Sequence, residues 1–178
     1  MSNIWLNACK MEAGHNYAEA VVLFLNDATE SFKKSLLARA GLSCTCAADC
    51  LVKLGADELQ KKVYFLAATF YIENANSARH RSTREWLWSL QKAYENFLFA
   101  DKTSMAEEVR NEYLSLAKRV QPFKETKLPS LKSDTLASVV QTSMKLPEKV
   151  VSAVKTLEQN VVSKYGRTVT ENKIECEV

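Results

Sequence analysis

Three groups of side chains in this sequence have the residue types and spacing that chemistry requires. The first is Cys44-x-Cys46-x-x-x-Cys50. Thiolates can hold zinc, but a structural site wants four ligands, usually from paired Cys-x-x-Cys elements. On a helix Cys46 and Cys50 share a face, while Cys44 points about 200° away from Cys46. No histidine lies nearby to complete a set. Cysteine is also a small hydrophobe that is often fully buried. The expectation is therefore packing, with no metal and no cofactor.

The second group is Arg79-His80-Arg81-Ser82-Thr83-Arg84, the densest basic stretch of the chain. At the start of a helix, arginines and free backbone N–H groups suit a phosphate or an acidic peptide. Arg79, Arg81 and Arg84 are the candidate binding residues, set against a plain solvated turn. The third group is Trp86 and Trp88, two residues apart and so turned about 200° from each other on a helix. Leu87, Leu90, Ala93, Tyr94, Phe97 and Leu98 supply that helix with its apolar residues. One tryptophan can join the core and the other can serve an interface, where an apolar body with a polar edge is favoured.

Catalytic patterns are otherwise missing. The sequence has no glycine-rich phosphate loop, no Gly-x-Ser-x-Gly elbow and no His-Glu-x-x-His pair. The expectation is a protein that is not an enzyme. With 24 basic and 21 acidic residues the net charge is only +3, too small to point to nucleic acid or a membrane surface. Five cysteines, an odd number, and no basic-then-apolar export signal at Met1–Cys9 predict reduced thiols and a cytoplasmic location. The longest apolar run, Tyr64 to Ile72, is far short of the ~20 residues of a membrane span.

The elements that must position these groups are helices. Glycine and proline are scarce, at 4 and 3, and nothing alternates with period two for long, so the class is all-α. Six helices are predicted over about 3–13, 17–33, 36–54, 58–76, 82–99 and 104–120. Ser82 with Glu85, and Thr103 or Ser104 with Glu107 or Glu108, resemble capping boxes. Breaks at Gly14-His15-Asn16, Gly55-Ala56-Asp57 and Ala100-Asp101-Lys102 separate patterns of similar grammar. Small residues beside aromatics follow them. A unit that cannot bury its apolar face alone must stack on its neighbours, which predicts antiparallel hairpins in a short array.

Fifteen of sixteen aromatic residues lie between Trp5 and Phe123, so the array is expected to occupy residues 1–122. Residues 123–132 read as a linker and 167–178 as a disordered tail. Between them, residues 133–166 predict one or two amphipathic helices. Leu136, Val139, Val140 and Met144 form one stripe, and Val150, Val154, Leu157 and Val161 another. Valine is a mediocre helix former, so the second stripe needs a surface, either the groove of its own array or a partner.

The string Gly14…Tyr17-x-x-Ala20-x-x-x-Phe24, echoed by Gly55, Tyr64 and Ala67, resembles the tetratricopeptide-repeat superfamily, in a divergent form like that of SNAP-type adaptors. The breaks at Gly14 and Gly55 stand 41 residues apart, against about 34 for the standard repeat. That resemblance, covering about Trp5 to Pro122, implies a scaffold or adaptor that holds a peptide or helix of a partner protein. Tyr17-Ala-Glu-Ala20 with Glu30, Lys33, Lys34, Leu36 and Leu37 is also similar to HEPN bundles, which implies action on RNA. The HEPN signature sets an Arg four to six residues before a His, and neither His15 nor His80 is so preceded. A third reading is a homo-oligomer built through the valine-striped tail.

Overall fold

The computed structural model describes residues 3–120 and 146–166. Seven α-helices and no strand are present among the described residues: α1 (Asn3–Ala13), α2 (Tyr17–Lys33), α3 (Leu37–Lys53), α4 (Asp57–Ala78), α5 (Thr83–Phe99), α6 (Thr103–Val120) and α7 (Glu148–Tyr165). The predicted linker, the predicted helix at 133–145 and the tail at 167–178 lie outside the described residues.

Four of the five turns between α1 and α6 have one geometry. A single residue in the left-handed region ends the helix: His15 (φ 59°), Ser35 (φ 58°), Gly55 (φ 67°) and Asp101 (φ 61°). The next N–H then reaches back five residues to a carbonyl: Asn16 to Met11 (2.8 Å), Leu36 to Ser31 (2.9 Å), Ala56 to Leu51 (3.0 Å) and Lys102 to Phe97 (2.9 Å). This is the Schellman closure, which satisfies carbonyls that the helix end leaves open. Three of the four turns place a residue with a side chain where glycine costs least. For that reason the turn at Lys34-Ser35-Leu36 carries no glycine signal. The α4–α5 connection differs. Ser82 caps α5, its Oγ accepting from the Glu85 N–H at 3.2 Å. Glu85 does not close a reciprocal box, because its carboxylate accepts from Asn74 Nδ2 at 3.2 Å instead.

Such short turns force antiparallel neighbours, and the chain zigzags into two layers. Odd helices meet across Lys53–Glu12 (2.9 Å) and Thr45 Oγ1–Asn96 Oδ1 (3.0 Å). Even helices meet where Phe32 packs on Phe70, ring centroids 5.2 Å apart. Small residues let the layers close: Ala20, Ala28, Ala40, Gly41, Cys44, Ala47, Ala67, Ala68 and Ala93 are all buried. Polar pins fix the helices to one another. Arg39 donates from Nε and Nη2 to the buried Asp27 carboxylate at 3.1 and 2.9 Å, and Ser43 Oγ donates to it at 2.8 Å. Asn74 Nδ2 donates to the buried Ser89 hydroxyl at 2.8 Å. One apolar core joins α1–α4 with α7, and a second joins α4, α5 and α6.

Gly41 stands in the middle of α3, where glycine normally weakens a helix. A Cβ there would lie 3.0 Å from the ring of Tyr71, a side chain that is 1% exposed. The glycine exists to admit that ring. Gly41→Ala is therefore expected to destabilise the fold by about 1–3 kcal/mol through overpacking. Ser35→Gly, which relieves a left-handed residue, should stabilise it by up to about 1 kcal/mol. Thermal denaturation of both variants would move in opposite directions.

Candidate functional site

Helical register decides what each layer presents. Leu42 and Trp88 are each the sixth residue of a 17-residue helix, α3 and α5. The Trp88 ring meets Tyr71 edge-on, at a centroid distance of 5.5 Å. Tyr71 also lies against Gly41. Tyr71 thus lies buried between α3 and α5, with Gly41 on one side and Trp88 on the other. Leu42 is 44% exposed and Trp88 40%, and Leu6 on α1 is 46% exposed. Leu6, Leu42 and Trp88 put one large apolar side chain in solvent from each helix of the odd layer.

The tryptophan pair divides as helical geometry requires. Trp86 is half-buried against the second core, under the Arg79 guanidinium at 5.3 Å from its ring. Such a cation–π contact holds both groups in place. Trp88 faces outward, four residues from the exposed Arg84 and hence on the same side of α5. Arg81 turns back to donate from Nε to the Ser77 carbonyl at 2.9 Å. The three arginines therefore do not converge. Arg84 alone shares a face with an exposed aromatic.

The even layer is covered by α7. Val150, Val154, Leu157 and Val161 are all buried in the core that includes α2. Lys149 pairs with Glu19 near the start of α2. At the other end Tyr165 packs on Phe32, centroids 5.7 Å apart, with Lys164 Nζ 4.6 Å from the same ring. Helix α7 therefore runs parallel to α2. Lys62 of α4 reaches Glu158 at 2.9 Å on the far rim. The predicted stripe docks within its own chain, each side chain contributing about 1.5–3 kcal/mol of burial. The signal for this was in the sequence. On α2 the face that carries Phe32 runs back through Thr29, Leu25, Val22 and Ala18, the same four-three spacing as the stripe on α7.

The thiols serve packing. Cys44 and Cys50 are fully buried and Cys46 partly so. Burial raises all three above the usual thiol range, Cys46 and Cys50 to about 12, with the nearby Asp49 and Glu12 charges adding to the effect. A neutral thiol is a poor nucleophile and a poor ligand. Among the described residues no group of three or more His, Cys, Asp or Glu is placed to hold a metal ion. His15 lies in the α1–α2 turn, its Nδ1 2.7 Å from the Tyr17 hydroxyl. His80 lies in the α4–α5 turn at the opposite end of the stack. No helix among the described residues is long and apolar enough to cross a membrane.

Comparison with protein families, with curated proteins and with solved structures finds no match to this chain.

Two measurements check this description. In native protein at about pH 8, Cys44 and Cys50 should resist iodoacetamide and become labelled only on denaturation, as read by peptide mass spectrometry. The second concerns Asp49, which accepts from the Tyr64 hydroxyl at 2.6 Å. Burial raises its carboxyl above the ordinary value of 3.8, against the lowering effect of the Tyr64 bond. A folded pKa above the unfolded one means that the folded state binds the proton more tightly. Asp49 thus favours folding below the ordinary carboxylate range, and that contribution is lost as pH rises through the raised value. Asp49→Asn keeps the acceptor for Tyr64 and removes the charge. Its stability at neutral pH should equal or exceed that of the parent, while at acid pH the variant lacks the stabilisation that protonation of Asp49 gives, so its stability falls more steeply with acid.

Proposed function

We propose that this protein is a non-catalytic interaction module, an adaptor or scaffold that holds a segment of another protein on its odd-helix layer. The observation that carries this reading is Trp88, exposed on α5, with Leu42 exposed on α3 and Leu6 on α1, on the layer opposite to the one that α7 covers. An exposed tryptophan is a typical affinity anchor. Arg84 beside Trp88 suits an acidic residue flanking the apolar anchor of the partner. The resemblance to tetratricopeptide repeats, whose stacked hairpins hold peptides, supports the same reading.

The test is a paired capture experiment. Full-length protein and the Leu42→Ser, Trp88→Ser double variant are used as baits, with folding checked by circular dichroism. The wild type should retain a defined partner that the variant loses, with affinity reduced at least tenfold. Arg84→Glu should weaken the same partner less. Identical captures by the wild type and the folded double variant would overturn the assignment of this face. Self-association abolished by the double variant would assign it to a second copy instead.

A further inference from the structure

We propose that the groove along α2 and α4, filled here by α7, is a second interaction site, and that it accepts an amphipathic helix of a partner protein in exchange for α7. This inference uses the opposite layer and does not rest on the odd-layer reading.

Helix α7 has the properties of a resident ligand more than of a structural member. Each array helix from α2 to α5 packs between its two sequence neighbours, whereas α7 seats along α2 with only a narrow contact on α4. Residues 121–147 join it to α6. When extended, that much chain could span about 90 Å, several times the width of a helix pair. A link of that length is long enough for α7 to leave its seat while still joined to the chain. Five of the eighteen residues of α7 are valines, Val150, Val151, Val154, Val161 and Val162. Valine favours a helix poorly on its own, so the helix depends on its seat. The rim pairs Lys149–Glu19 and Lys62–Glu158 involve partly exposed side chains and fix orientation more than affinity.

The seated helix defines what the groove recognises. The partner helix carries aliphatic residues at i, i+4, i+7 and i+11, as Val150, Val154, Leu157 and Val161 do. A basic residue at i−1 meets Glu19, and an acidic residue at i+8 meets Lys62. An aromatic residue at i+15 packs at a tilt against Phe32, as Tyr165 does here. The helix enters parallel to α2. A helix lacking the acid at i+8 loses its register against α4.

The probe is a fluorescein-labelled synthetic peptide of residues 146–166, titrated by anisotropy into two full-length proteins. One is the wild type. The other is the Val154→Asp, Leu157→Asp double variant, whose own α7 cannot seat. The peptide is expected to bind the double variant with micromolar affinity and the wild type at least tenfold more weakly. An unlabelled peptide with the same two aspartates should not compete. Should the double variant lack a cooperative thermal transition, a protease site placed between Val120 and Leu146 replaces it. After cleavage of the folded chain, labelled peptide should exchange into the groove with release of the native helix. Failure of the peptide to enter either opened protein would overturn the proposal. So would equal binding to wild type and double variant, since that places the peptide elsewhere. Dimers of the wild type that disappear in the double variant would assign the groove to α7 of a second copy and overturn the partner-helix reading.

Discussion

The structure depends on one backbone constraint, the reversal of a helix within three residues by a single left-handed residue. At His15, Ser35, Gly55 and Asp101 the chain turns back on itself with its helix-end carbonyls satisfied. A turn that short leaves the next helix no choice but to lie antiparallel beside the last. The left-handed residues at 15, 35 and 55 recur every twenty residues, so α2 and α3 have equal lengths and their levels match. Everything else follows from that repetition: alternate helices line up, and two layers form.

The two layers then acquire different surfaces. Alanine and glycine at the interfaces let the backbones approach, and buried polar pins such as Asp27 with Arg39 and Ser43 fix the rotation of each helix. An unpaired carboxylate at that depth would be costly, so the pin selects one packing over its neighbours a turn away. With rotation fixed, Leu6, Leu42 and Trp88 have no place inside. The even layer has an apolar seat and fills it with α7. The asymmetry between a covered layer and a bare one is the basis of the functional reading.

Several of the side chains that first suggest chemistry hold the fold together, while Arg84 and Trp88 stay exposed. The thiols of α3 are held neutral by burial. Arg79 lies over Trp86, and Arg81 is tied to the Ser77 carbonyl. Burial makes the thiols inert, and it makes the rare exposed aromatic the more informative residue.

Local periodicity and turn chemistry were enough to place the helices, because hydrophobic spacing and helix-breaking residues act within a few positions of themselves. The expected spans for α1 and α2 match the structure, and those for α3 to α6 differ by one or two residues at their ends. Stacking followed from amphipathic faces too broad for one partner. The turn at Ser35 left no glycine or proline to mark its left-handed residue, since the surrounding packing imposes that conformation. Gly41 in the middle of α3 is a clearance for Tyr71, thirty residues away in the chain, which local spacing does not reveal. Sequence also determined that the stripe Val150, Val154, Leu157 and Val161 must be covered, because burial of aliphatic surface is a local and additive demand. Only the tertiary structure decided that α2 covers it, and that Trp88 stays outside while Trp86 is half-buried. Those outcomes depend on which faces meet across the stack, and the spacing of one helix carries no information about the rotation of its neighbour.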